Sequence, residues 1–322
     1  MRLLLAIVAL ALAAAGADAQ APTWPARPVT LIVPFAAGGP ADVTGRLIAE
    51  QYSRHIGQRV IVENVVGAGG ATGATRGARA APDGYTLLLG HMGTHAAALT
   101  LTPNLAYDPV NDFAPVGIVA EYPLVLALRK DFPADTLAEF VAYARANEAK
   151  LNMAHAGIGS VSHTGCLLLG AAIGIKPTMV PFTGTGPAMN ALLASQVDYV
   201  CDPIVGPMPH VRAGTIKALA VAGARRHPAL PDVPTAAEGG LPQFAAAPFY
   251  GVFAPKGTPN EVLDKLTDAH AKALEDETMR KRLTDLGADV PEKDKGGAAA
   301  LATLVKHEIA RLTPILKEAV GK

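Results

Sequence analysis

Four short stretches set glycines between a strand-like run and a helix-like run. They are "PFAAGGPAD" from Pro34, "NVVGAGGATGA" from Asn64, "HAGIGSVSHTG" from His155 and "PFTGTGPAMN" from Pro181. The chemistry such a junction offers is anion binding. The first turn of a helix leaves backbone N–H groups unpaired and carries partial positive charge. Glycine lets a bound group approach that backbone closely. In an open α/β sheet these junctions fall at the carboxyl ends of strands, where ligands bind. Ser160 and Ser162 add hydroxyls to one loop, and Thr183 and Thr185 to another. Ser162 also suits the N-cap of the helix that follows, and a cap can touch a ligand as well.

Phosphate is a poor fit to these loops. None reads G-x-x-x-x-G-K-[ST], so the phosphate-gripping lysine is missing. In "GAGGATG" the third glycine of G-x-G-x-x-G is replaced by Thr72, and the stretch follows the second strand, not the first. A small carboxylate asks for less: a few backbone N–H groups and a hydroxyl suffice. It is the anion that the loops predict.

Nucleophilic and metal chemistry find little support. Cys166 and His163 stand at i, i+3, but there is no G-x-S-x-G or H-E-x-x-H and no oxyanion-hole signature beside them. Helix-interior placement explains that cysteine, and no enzyme activity is expected. Metal-ligand spacings of Cys and His are absent, so neither cofactor nor metal is expected. Cys166 and Cys201 are the two cysteines. An oxidising compartment permits a disulfide between them, and two buried, unpaired thiols fit equally. Asp42 and Arg46 stand at i, i+4, which predicts a loop-stabilising ion pair; contact between Arg46 and a ligand is the alternative.

The elements that must hold these loops alternate in type. "PVTLIVPF" (28–35), "RVIVENVV" and "YTLLLG" (85–90) read as strands, with helices over 41–55 and "GATGATRGARAA" between them. That order predicts a parallel sheet covered on both faces. The pattern repeats with strands "PLVLALRK" (123–130), "LNMAHAG", "PTMVPF", "VDYVCDP" and "IKALAVAG" (216–223), and helices over 137–147, "SHTGCLLLGAAIG" and 187–195. "YGVFAP" (250–255) is a late strand, and helices over 259–275, 277–286 and 297–319 close the chain. Residues 102–117 carry turn chemistry and read as one long loop. Two α/β units with crossovers near Pro123 and Gly223 suggest a two-lobed cleft protein.

Composition agrees. The 322 residues are 50% apolar and 17% charged, with zero formal net charge and 5% aromatic residues. Lys and Arg form no stripe, so a nucleic-acid partner is not expected. The first residues, "MRLLLAIVALALAAAGADAQ", have one basic residue, an apolar run and Ala17-Asp18-Ala19. This predicts a secretory signal over 1–19, with an A-x-A cleavage site, and a periplasmic location. The run is short for a membrane span, and no Cys follows the site to carry a lipid.

Taken in order, the chain resembles the solute-binding receptors of tripartite tricarboxylate transporters, the Bug family. The resemblance is carried by "WPARPVTLIVPFAAGGPADVTGR", "VIVENVVGAGGATGA", "APDGYTLLLG", "YDPVNDFAPVGIVA", "AGIGSVSH", "VPFTGTGPAMNALLASQVDY" and "YGVFAPKGTP". It implies an α/β, two-lobed periplasmic binding protein fold (type II, Venus flytrap), each lobe with a mainly parallel sheet. Residues 20–122 plus 224–322 would form lobe 1, and 123–223 lobe 2. Such receptors hold a ligand carboxylate through backbone amides and ordered water. The resemblance places Phe35, Ala37, Gly38 and Gly39 on one wall of the cleft. It places Gly157, Ile158, Gly159 and Ser160 on the other, with Thr183 and Gly184 adding donors. Asp202 would meet an amino or hydroxyl group of the ligand.

Two departures from the family pattern bear on the pocket. Phe249 stands where Trp is frequent. His91, His95 and His155 stand where small hydroxyl residues are expected, so His91 is a candidate ligand contact, idle exposure of these histidines being the alternative. The implied ligand is a small carboxylate: a di- or tricarboxylate, an amino acid or an aromatic acid. The implied partners are membrane transporter subunits or, alternatively, a sensor kinase, and a monomer is expected.

Overall fold

The computed structural model describes residues 24–321, so the predicted signal segment lies outside the described residues. Among the described residues, ten strands form two five-stranded sheets. The first contains β1 (Val29–Val33), β2 (Val60–Asn64), β3 (Thr86–His91), β4 (Phe113–Glu121) and β10 (Phe249–Pro255), in the order β2-β1-β3-β10-β4. The second contains β5 (Leu124–Arg129), β6 (Asn152–His155), β7 (Thr178–Pro181), β8 (Tyr199–Pro203) and β9 (Ile216–Val221), in the order β7-β6-β8-β5-β9. The chain therefore passes from one sheet to the other between β4 and β5 and returns between β9 and β10. This is the two-lobed periplasmic binding protein fold.

The sheets are mixed, which corrects the parallel expectation in part. β1 pairs in parallel with β2 and β3, but β10 runs against both β3 and β4. In the second sheet β6 pairs in parallel with β7 and β8, while β5 opposes β8 and β9. One strand in each sheet thus opposes the direction of the other four. Each reversed strand is the first laid down after a crossing. Strand direction depends on the crossing, and a buried apolar run carries no mark of it.

Local sequence explains the helices that matter here. α1 (Pro40–Ile56) starts with Pro at its first position, where the missing N–H would have no partner anyway. Asp42 complements the positive end and Arg54 and His55 the negative end, and Gly57 closes the helix with φ of 74°. α2 (Ala71–Ala78) and α3 (Ala98–Leu101) follow, the latter continuing a π-turn over Gly93–Ala97. α4 (Leu137–Ala146) is opened by a capping box between Thr136 and Glu139. α5 (Val161–Ile173) is capped by Ser160, whose Oγ accepts the His163 N–H at 3.2 Å. The Ser162 cap expected from sequence is thus displaced by two residues: Ser162 Oγ accepts the Ala156 N–H instead. α6 (Thr185–Leu193) and α7 (Met208–Arg212) complete the second half, and α8 (Asn260–Glu275), α9 (Glu277–Asp285) and α10 (Ala298–Ala319) end the chain.

The strand β4 starts inside the segment read as a loop. It holds the edge of its sheet, where Pro115 leaves no ladder hydrogen bond to lose. Core side chains lie on both faces of both sheets, including the fully buried Leu31, Ile32, Leu126 and Ala127. Two glycines show how tightly helices lie on the first sheet. A Cβ at Gly117 would strike the His270 ring, and one at Gly251 would strike Leu301. Any larger residue would force α8 or α10 away from the strands.

Candidate functional site

Three helices start at one cavity between the two sheets. α1 opens at Gly39, α5 at Ser160 and α6 at Gly184, and all three N-cap residues line a space of about 40 Å³. Each brings unpaired N–H groups and the positive end of its peptide dipoles. Among the described residues, no Lys or Arg lines the cavity. Its walls are otherwise largely apolar, with Phe35, Val161 and Tyr250 among them. Fixed backbone donors in an apolar box suit a compact anion.

The loop ahead of α1 is shaped by Asp42. Its Oδ2 accepts the Gly38 N–H and Arg46 Nε–H, and its Oδ1 accepts from Arg46 Nη2 and Asn64 Nδ2, all at 2.9 Å. Asn64 Nδ2 also donates to the Phe35 carbonyl at 2.9 Å. Burial alone would raise the Asp42 carboxyl, but hydrogen bonds from Arg46, Gly38 and Asn64 outweigh it and hold the group below its ordinary range. Arg46 therefore acts on the loop, and its guanidinium is absent from the cavity lining. Gly38 turns the chain at φ of +82°, a conformation other residues rarely adopt.

Two residues that line the cavity each carry a buried polar atom with no partner among the described residues: His91 Nε2 and Asp202 Oδ2. His91 ends β3 and Asp202 lies in β8, so the atoms come from opposite sheets. The His91 ring packs against Phe35, with centroids 4.9 Å apart, and Tyr250, at 5.5 Å. Its Nδ1 accepts the backbone N–H of Gly93 at 2.9 Å and of Thr94 at 3.3 Å. Burial pushes the imidazole down to about 3, so the ring is neutral. Asp202 is 1% exposed. Burial lifts its carboxyl to about 7, against the opposing pull of the Thr185 and Ser162 hydroxyls. Thr185 Oγ1 donates to Asp202 Oδ1 at 3.3 Å.

The residues singled out from sequence fall into three groups. Phe35, Ala37, Gly39, His91, Ser160, Gly184 and Asp202 line the cavity together. Gly157, Ile158 and Gly159 do not line it; they press on the opposite wall instead. A Cβ added to Gly69 would run into the Ile158 carbonyl, one on Gly93 into the Gly159 carbonyl, and one on Gly157 would lie 3.2 Å from Gly69. Gly38, Thr183 and Phe249 are also outside the lining. Gly38 is set back in the turn, Thr183 is exposed, and Phe249 is buried in the hydrophobic core. Tyr250 takes the position expected for Phe249. Successive residues of a strand face opposite ways, so a displacement of one residue exchanges core for cavity.

The cysteines are free and buried, and the Cys201 N–H donates to Cys166 Sγ at 3.0 Å. His163 turns elsewhere: its Nδ1 accepts the Gly159 N–H and its Nε2 meets Met179 Sδ at 3.3 Å. The spacing of Cys166 and His163 thus produces no thiol–imidazole pair. His91, His95 and His155 are all buried, not half-exposed as the idle alternative supposed.

Comparison with known proteins agrees with this geometry. The profile of the tripartite tricarboxylate transporter family receptors (TctC) matches residues 44–320. MatC from Rhodopseudomonas palustris, solved with bound malate, is 49% identical and superposes with a TM-score of 0.88, covering 91% of this chain and 100% of that one. The periplasmic binding protein BugD is 40% identical with a TM-score of 0.87, over 92% and 98% of the two chains. A second R. palustris protein, solved with adipate, is 34% identical with a TM-score of 0.86, again over 92% and 98%. A cleft of helix N-termini between two mixed sheets, matched along nearly the whole described chain, places this protein in the tripartite tricarboxylate transporter receptor family, among the Bug-type periplasmic binding proteins.

Proposed function

We propose that the protein is an exported receptor that captures a small dicarboxylate in the interlobe cavity and presents it to the subunits of a tripartite membrane transporter. The observation that carries this reading is the convergence of three helix N-termini on a cavity that, among the described residues, no cationic side chain lines. Malate in MatC and adipate in the second R. palustris protein support the ligand class. The N-terminal sequence supports export, and the zero net charge offers no pull toward polyanions.

In mechanism, the lobe built on the first sheet closes on the lobe built on the second. A ligand carboxylate meets the N–H groups of α1, α5 and α6. Two charge-assisted hydrogen bonds contribute about 3–6 kcal/mol between them before ordering costs. The ligand favours closure only by binding the closed form better than the open one. Asp202 is suited to a hydroxyl on the ligand. An ammonium brings three donors, and among the described residues the cavity lining offers one carboxyl group, that of Asp202, for them.

Isothermal titration of the mature protein, stripped of ligand by unfolding and refolding, tests this reading. The panel is malate, succinate, adipate, citrate and aspartate, with glucose as control. Micromolar binding of a dicarboxylate is expected, with malate preferred to aspartate. Binding of glucose with no response to any carboxylate would overturn it.

A further inference from the structure

We propose that His91 is a specificity-determining residue: its Nε2–H donates a hydrogen bond to the second acidic end of the ligand, so that the cleft favours dicarboxylates over monocarboxylates. This rests on the proposed carboxylate-receptor reading. It goes beyond it by assigning the atom that tells one acid class from another.

The two ring nitrogens have different tasks. Nδ1 accepts two backbone N–H groups, from Gly93 and Thr94, at the start of the π-turn that follows β3. A nitrogen that accepts carries no proton, so in the neutral ring the proton sits on Nε2. That N–H belongs to a residue that lines the cavity, and it is buried with no partner among the described residues. A buried donor without a partner is costly, and a bound acceptor relieves the cost. The ring cannot readily turn away, because Phe35 and Tyr250 pack against it and exchanging its nitrogens would break the Nδ1 hydrogen bonds.

The helix N-termini of α1, α5 and α6 already offer donors for one carboxylate. His91 enters from the β3 end of the first sheet and adds a donor without adding charge. A second carboxylate oxygen is the ligand acceptor that would use it most strongly, since hydrogen bonds to an ionised acceptor are about twice as strong as neutral ones. A methyl group in the same place would leave Nε2–H unpartnered, so discrimination arises from the cost of that orphan as well as from the bond gained.

The test separates the two nitrogens by substitution. In His91→Asn the side-chain oxygen can stand in for Nδ1 and keep the turn, while the distal donor is lost. In His91→Gln the terminal amide can stand in for Nε2–H, while the turn loses its acceptor. Each variant and the wild type are titrated with matched pairs that exchange one carboxylate for a methyl: malate and 2-hydroxybutyrate, succinate and butyrate, adipate and hexanoate. The wild type is expected to prefer the dicarboxylate of its best pair by at least tenfold. His91→Asn should lose about 10- to 100-fold in affinity for that dicarboxylate and less than about threefold for its partner. His91→Gln should keep most of the preference although its melting temperature falls. Unchanged dicarboxylate binding by His91→Asn, or equal losses for both members of a pair, would overturn the assignment while leaving the carboxylate reading standing. A wild type that binds none of the six acids would overturn the assignment, and one that also fails to bind citrate and aspartate would overturn both.

Discussion

The two walls of the cleft are built from loops that look alike in sequence and work differently in space. On the first wall, residues 35–39 are braced from behind by Asp42, which gathers Gly38, Arg46 and Asn64, and the loop turns Phe35, Ala37 and Gly39 to the cavity. On the second wall, Gly157, Ile158 and Gly159 turn away from the cavity and touch Gly69 and Gly93 across the cleft. That loop reaches the cavity at its two ends, through Ala156 on one side and Ser160, Val161 and Ser162 on the other. The comparison teaches that a glycine-rich junction has two uses. It can bring backbone donors to a ligand, or it can let two backbones meet.

The largest effect should come from breaking the backbone meeting. Gly69→Ala places a methyl group where the Ile158 carbonyl lies. The φ of +62° at Gly69 adds about 1–2 kcal/mol of strain for alanine. Ligand affinity should fall at least 100-fold with only a modest loss of melting temperature, and small-angle scattering should show no compaction on adding ligand. Normal affinity in this variant would remove the closing role from residues 157–159.

A second test sharpens the contrast between the charge that braces the first wall and the carboxyl buried in the second. Asp202 has an ordinary value of 3.8 and a folded value of about 7. Between these values the folded protein holds a proton that the unfolded chain releases. Its contribution to stability therefore falls as pH rises through that window. Asp202→Asn removes the slope, and at pH 8 the ligand-free variant should be more stable than the wild type by on the order of 3 kcal/mol. Urea denaturation at pH 5 and pH 8 reads the difference; parallel curves for the two proteins would exclude a raised Asp202. Asp42 works in the opposite sense, since its lowered carboxyl contributes stability that is lost as acid protonates it.

The smallest effect belongs to Gly39. A Cβ there would lie 3.7 Å from the Ala36 carbonyl oxygen and 4.0 Å from Thr185 Cβ, both ordinary contacts, and its φ of −84° suits any residue. Gly39→Ala should change affinity less than about threefold, a loss within 1 kcal/mol. A loss above tenfold by titration would mean that the first wall approaches its ligand as closely as the walls approach each other.

Much of this was legible because burial writes itself into short runs. Strands β1, β3 and β5, the breaks before their helices and the pairing of Asp42 with Arg46 follow from local pattern. Other features depend on distant partners. β4 was hidden by Pro115 and Gly117, residues that an edge strand tolerates and that a close helix requires. Tyr250, not Phe249, reaches the cavity because the pairing of β10 with β3 sets which face each residue takes. Period-two alternation in "FYGVFAP" offers both faces and does not say which is wet. The orphaned nitrogen of His91 was out of reach of sequence, since it emerges only once Gly93 and Thr94 have claimed the other one.

Among the described residues no cationic side chain lines the cavity, and this has a practical consequence. A receptor that grips its anion with arginine on an open surface loses hold as salt rises, because mobile ions gather around both charges. Here the positive partner is fixed peptide geometry at three helix ends, shielded by the walls that close over it. Buried interactions are screened far less than exposed ones. Such a protein should read its solute with nearly the same affinity in dilute and in saline surroundings, where the ionic strength outside a cell is beyond the cell's control.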